Sequence, residues 1–361
     1  MFDAPMKSLF SDNYAQARDR FLELTDGTSY LSKYSGPNGE KLFTDSAWVG
    51  RKDAENLLVL VSGTHGVEGY CGSAAQLSLL HSNLIKKQDN SVAILLIHSL
   101  NAYGFAWDRR VTAEGCDLNR NFVDFSQPLP ENEDYEFLAD FLVPADVSDE
   151  GLARAEKVIA EFRAKHGEVA FQTARKKGQY TRPHGMFFGG RQPTESRLFL
   201  EQIFRDYKVG NRNSVIIIDY HTGLGPYGYG ELQCETVSGP EGYKRASQIF
   251  GPSVTSPEVG TSSSVEITGT QDEFWERELG SRHTYVCLEF GTFSQEKSRQ
   301  ALRNDHWLYR YRAADVNTDI GQRIRSATRA QYYPDRIDWQ EKVVSRCHQV
   351  HAQALAALRS T

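Results

Sequence analysis

His65 and Glu68 stand three residues apart in a glycine-dense loop, Gly63-Thr64-His65-Gly66-Val67-Glu68-Gly69. Imidazole nitrogen and carboxylate oxygen are both good zinc donors, and a third protein ligand would complete a catalytic site with one position open for water. His221, in Ile218-Asp219-Tyr220-His221-Thr222-Gly223, offers that third donor. Two His and one Glu would leave a net charge near +1, which lowers the pKa of a bound water toward ~7. By itself His-x-x-Glu is close to a chance match, and a lone His221 reads more simply as a capped core histidine. Asp219 is placed to accept from a ligand imidazole and fix its tautomer.

Glu289 lies in Val286-Cys287-Leu288-Glu289-Phe290-Gly291. A carboxylate between Leu and Phe must be paired, metal-linked or shifted in pKa, because an unpaired buried charge is too costly. Beside a metal it would suit a general base. The run Arg109-Arg110 … Asp117-Leu118-Asn119-Arg120-Asn121-Phe122 supplies fixed positive charge. Arg120 can grip a carboxylate bidentately and Asn119 can add a hydrogen bond. Arg110 can stabilise an oxyanion.

These residues need a scaffold that gathers them. Continuous apolar runs at 57–62, 92–98, 214–219 and 284–290 read as strands buried on both faces. Helical patterns precede, separate and follow them, at 13–25, 71–84, 195–207 and 338–358. The fold class expected is α/β, one domain over 1–361 with a central mixed, mainly parallel, twisted sheet flanked by helices. A mostly helical insertion is expected at about 125–200, including a polar helical stretch at 148–177 and a loop at 181–193. His65, Glu68, His221 and Glu289 all fall at or near the carboxyl ends of strands, where open α/β sheets bind ligands.

The bulk composition excludes several classes. A net charge of −6 over 361 residues argues against a nucleic-acid surface. The longest basic run, Arg175-Lys176-Lys177, reads as a solvated helix face. No apolar run approaches a membrane span, and residues 1–21 carry no secretory pattern. Five scattered cysteines fit a reducing, cytoplasmic setting. No Gly-x-Ser-x-Gly elbow supports a serine hydrolase.

In their order, His65-x-x-Glu68, Asp117-Leu118-Asn119-Arg120-Asn121-Phe122, His221-Thr222 and Glu289 resemble the zinc carboxypeptidase superfamily, which includes aspartoacylase and succinylglutamate desuccinylase. The likeness spans about 55–295. The wording around His65, Arg109 and Glu289 looks most like a bacterial carboxypeptidase-like branch. The resemblance implies one zinc ion (Zn2+) per chain on His65, Glu68 and His221. It implies Glu289 as general base and acid, Arg110 at the oxyanion, and Asn119 with Arg120 on a substrate carboxylate. Arg109 competes for the Arg110 role, since spacing does not separate neighbours. Relatives place a mobile Tyr over the substrate, for which Tyr227 and Tyr229 are candidates. His184 is a further residue considered for the pocket. The expected activity is metal-assisted hydrolysis of an amide next to a carboxylate, on a small peptide or an N-acyl amino acid. A ligand-binding module without catalysis is the other reading. No nucleic-acid or membrane partner is expected, and homo-oligomer formation is left open.

Overall fold

The computed structural model describes residues 6–86, 91–234 and 239–360; the first five residues of the N-terminal segment read above lie outside them. Eight strands form one sheet: β1 (Thr28–Ser35), β2 (Lys41–Val49), β3 (Asn56–Val61), β4 (Val92–His98), β5 (Ser214–Tyr227), β6 (Gly230–Gln233), β7 (Val254–Thr255) and β8 (His283–Gly291). Their order is β1-β2-β4-β3-β5-β8-β6-β7. The four central strands β4, β3, β5 and β8 are mutually parallel, and β2 and β6 flank them antiparallel.

The central strands are the apolar runs of the sequence, and every residue of β3, β4 and β8 is buried. Both faces of the sheet are covered. Leu58, Leu60, Ile94 and Leu96 point into one core, which the helices Gly69–Leu80 and Ile337–Arg359 close. Leu57, Val59, Leu95 and Ile97 point into the other, closed by Glu195–Asp206 and Gln271–Leu279. Such double burial is what continuous Leu, Val and Ile require of a strand.

The chain leaves β3 for β4 on one side and reaches β5 on the other. That reversal opens a crevice at the carboxyl ends of β3 and β5. Between β4 and β5 come the helices Glu133–Leu142, Asp149–His166 and Glu168–Lys176, in the region expected to be helical. Arg299 and Arg303, on the helix Gln295–Tyr311, tie this region down through Glu156.

Four strands escaped the sequence reading. β1, at one edge, and β2 beside it are half-polar, and β6 and β7 are too short to show a pattern. β5 also runs on to Tyr227, beyond the expected strand end at 219 and through Gly223 and Gly225. All five cysteines are buried. Among the described residues no helix is long and apolar enough to cross a membrane.

Candidate metal centre and its cleft

Register explains why distant residues meet. Val61, Asp219 and Cys287 stand side by side on β3, β5 and β8. Two residues further, His221 and Glu289 are direct neighbours across the β5–β8 ladder. The chain leaving β3 turns at Gly63 and makes a short 3-10 turn over Gly66–Glu68, which sets His65 and Glu68 against the same strand ends. Gly66 allows a backbone crossing there: a Cβ on it would lie 2.1 Å from the carbonyl carbon of Gly104. The same contact lets Gly66 N and Val67 N donate to the carbonyls of Arg110 and Arg109, so the His65 loop and the arginine loop are one unit.

Three donors converge. Nδ1 of His65 and Nδ1 of His221 are 3.1 Å apart. His65 Nδ1 is 3.2 Å from Glu68 Oε1, and His221 Nδ1 is 3.1 Å from Glu68 Oε2. Zinc at ~2.0–2.1 Å from tetrahedral ligands would separate them by about 3.3 Å. The outer nitrogens are backed by carboxylates. His65 Nε2 lies 3.0 Å from Asp117 Oδ1. His221 Nε2 lies 2.9 Å from Asp219 Oδ2, off line for a hydrogen bond and with no other partner. With a proton on each Nε2, both Nδ1 lone pairs and the carboxylate face one point with no hydrogen between them. That arrangement is repulsive without a cation, so the residues fit a metal ion. A second trio, His221, Cys287 and Glu289, also lies close enough to hold one; it has one imidazole only.

The surrounding groups hold these ligands still. Glu68 accepts from Arg110 Nη1 at 3.0 Å and from Thr222 N at 3.0 Å. Burial raises its pKa, but His65, His221 and Arg110 outweigh burial and hold it well below the carboxylate range. Asp219 accepts from Thr64 Oγ1 and Tyr285 Oη. Glu289 Oε1 accepts from Leu224 N at 2.9 Å. Burial first, then the charge of Glu68, raise its pKa to about 8. A cation on the trio would pull it back down.

The arginines separate. Arg109 is spent: Nε and Nη2 grip Asp305 at 2.9–3.1 Å, and the guanidinium stacks 3.3 Å from the Tyr309 ring. Arg110 lines the cleft, braced by Asp117 at 2.9 Å and by Glu68. Asn119 and Arg120 line it too. The backbone N of Gln271 donates to Asn119 Oδ1 at 2.7 Å, which fixes the side-chain amide. Arg120 donates through Nε and Nη2 to the Lys176 carbonyl and through Nη1 to its neighbour's.

Three expectations are corrected. Tyr227 does not reach the cleft: its hydroxyl turns to Asp338 and its ring packs on Phe293 and Lys342, because β5 carries it past the strand ends. Tyr229 is exposed. The tyrosine in the cleft wall is Tyr332, whose hydroxyl lies 3.0 Å from Ser298 Oγ. His184 lines a separate small cavity. The supposed solvated face is the largest correction. Arg175 and Lys176 are 3% and 7% exposed and both line the cleft. Burying an ion without a counter-charge costs several kcal/mol, so sequence charge alone gave no hint of this placement.

A family model described as "Protein of unknown function (DUF2817)" matches residues 10–346. No curated protein matches the chain in sequence. Among solved structures, carboxypeptidase A from Helicoverpa armigera is similar at 12% identity and TM-score 0.43, covering 92% of this chain and 78% of that one. Murein-tripeptide amidase MpaA from Escherichia coli O157 is similar at 13% identity and TM-score 0.37, covering 85% and 97%. A succinylglutamate desuccinylase/aspartoacylase family protein from Shewanella amazonensis SB2B gives 19% identity and TM-score 0.35, covering 73% and 66%.

Proposed function

We propose that this chain, which belongs to the DUF2817 family, is a zinc-dependent hydrolase cleaving an amide bond next to a substrate carboxylate. One observation carries the reading: two imidazole nitrogens and a carboxylate face one another at 3.1–3.2 Å, each imidazole backed by an aspartate, beside a buried glutamate. His65, Glu68 and His221 would hold the ion, which when bound supplies Lewis acidity toward a carbonyl oxygen and a water.

The chain's own groups do the rest. Asn119 Nδ2 and the Arg120 guanidinium bind the substrate carboxylate and so fix the scissile amide over the trio. Arg110, held by Asp117 and Glu68, offers positive charge where the carbonyl oxygen becomes an anion. Glu289 takes the proton of the attacking water and gives it to the leaving nitrogen. The Leu224 N–H holds its Oε1, which leaves Oε2 for the proton. Tyr332, buried in the cleft wall, limits water there.

Protein purified without added metal should contain about one zinc per chain by elemental analysis. Chelation should abolish hydrolysis and zinc should restore it. No zinc, with no activity on adding it, would sink the mechanism.

Asp117 bears on two parts of the site, since it braces Arg110 and backs His65. Asp117→Asn should weaken zinc binding roughly 10–100-fold, as removing an outer partner of a ligand histidine does. Competition with a chromogenic chelator measures this. Affinity equal to the parent's would show that His65 is oriented by something else.

Two substrate classes satisfy the same chemistry: a peptide with a free carboxyl terminus, and an N-acyl amino acid. The cations buried in the cleft wall favour a small acidic molecule.

A further inference from the structure

Arg175 and Lys176 end the helix Glu168–Lys176, and both side chains reach the cleft that contains the trio. Among the described residues neither has a carboxylate within ion-pair distance. Arg175 Nη2 donates to Gln172 at 2.8 Å, while its Nε is buried with no partner. Lys176 Nζ donates to Gln295 Oε1, at 2.8 Å, and to no other of the described residues. Burial, and then the charge of Arg175, push the Lys176 ammonium down to about 7. Some relief comes from within the fold: the carboxyl end of a helix favours cations, and Arg175 lies 5.7 Å from the Phe171 ring centroid. Neither source supplies an acceptor for the orphaned Nε. Glu289 acts on Lys176, and Glu296 and Glu168 on Arg175, only from beyond ion-pair distance, and two adjacent buried cations without a paired carboxylate are a site for an anion.

Its position is set by Arg120. The carbonyl that holds the Arg120 guanidinium, at 2.8 and 2.9 Å, is that of Lys176 itself. The proposed carboxylate grip and the two further cations are therefore neighbours in one wall. A single carboxylate on Asn119 and Arg120 would leave Arg175 and Lys176 unanswered.

We propose that Arg175 and Lys176 form a second anion subsite, and that the substrate residue held by Arg120 carries a further acidic group, a carboxylate or a phosphate. This rests on the hydrolase reading for where the scissile bond lies, but the subsite is testable without turnover.

The test titrates L-glutamate, O-phospho-L-serine and L-glutamine into the purified protein by calorimetry, then compares hydrolysis of Ala-Glu with Ala-Gln and of N-acetylglutamate with N-acetylglutamine. One of the two acidic ligands should bind roughly 30-fold or more tighter than glutamine, the scale of a charge-assisted contact. Which of them does so separates carboxylate from phosphate. In Lys176→Met the preference should shrink to about threefold or less, and Arg175→Gln should shrink it too. Both variants remove a buried ion without an ion-pair partner, so their melting temperatures should hold or rise. Equal binding of acidic and neutral ligands, or equal losses for both in Lys176→Met, overturns the subsite. A sharp fall in melting temperature in both variants overturns it as well, by making these cations structural. If the acidic preference holds but no amide is cleaved, the subsite stands and the hydrolase reading falls. If amides are cleaved with no acidic preference, the reverse holds.

Discussion

Glu289→Gln should lower kcat by ~10²–10⁴-fold, the range that a positioned acid–base group contributes, while leaving the bound metal and the fold in place. Glutamine has the same shape, and its carbonyl can still accept from Leu224 N, the bond that orients Glu289 now. What it loses is the ability to take a proton from water and return it to the leaving nitrogen. In the metal-free protein the substitution also removes a carboxylate that burial and Glu68 disfavour in its charged form, so the stability of that form should not fall. Single-turnover kinetics together with zinc content separate the outcomes. Parent-like hydrolysis would refute Glu289 as the base. Loss of zinc would instead make Glu289 a ligand, through the trio it forms with His221 and Cys287.

What the sequence made legible follows from where side chains point. β3, β4, β5 and β8 were readable because a strand covered on both faces must be apolar throughout. Once those four were placed, parallel register brought His221 beside Glu289 and the His65 loop above them. β2 was not readable. Its Asp45 and Ser46 are buried, which polar residues in a strand do not announce; Arg18 and Ser29 compensate Asp45 from elsewhere in the chain. Adjacent Arg109 and Arg110 could not be told apart until Asp305, almost two hundred residues away, was seen to occupy the first. The burial of Arg175 and Lys176 has the same origin. A charged helix looks solvated in sequence, and only the packing of the 295–302 segment and the Arg120 loop shows that it is not. Tyr332 was missed because position relative to His221 and Glu289 suggested a tyrosine between them, whereas this one arrives from the helix Asp319–Tyr332.

His221→Ala should weaken metal binding by about two to three orders of magnitude, and its consequences reach beyond activity. Zinc binding worth ~10–16 kcal/mol, shared over four ligands, gives about 2.5–4 kcal/mol for each, or ~10²–10³-fold in affinity. The remaining His65 and Glu68 would then have to hold the ion with two waters. Turnover would fall with occupancy and with the loss of the fixed geometry. Stability offers an independent readout. A ligand present at 1,000 times its Kd adds about 4.1 kcal/mol to the folded state, so chelating the parent should lower its melting temperature by several degrees. In the parent that fall has a local cause, because removing the cation leaves the two Nδ1 atoms and the Glu68 carboxylate facing one another. In His221→Ala one of the three facing donors is gone, so the chelated variant should melt no lower than the chelated parent, and chelator should no longer move its midpoint. A variant that keeps stoichiometric zinc and still responds to chelator like the parent would remove His221 from the metal site.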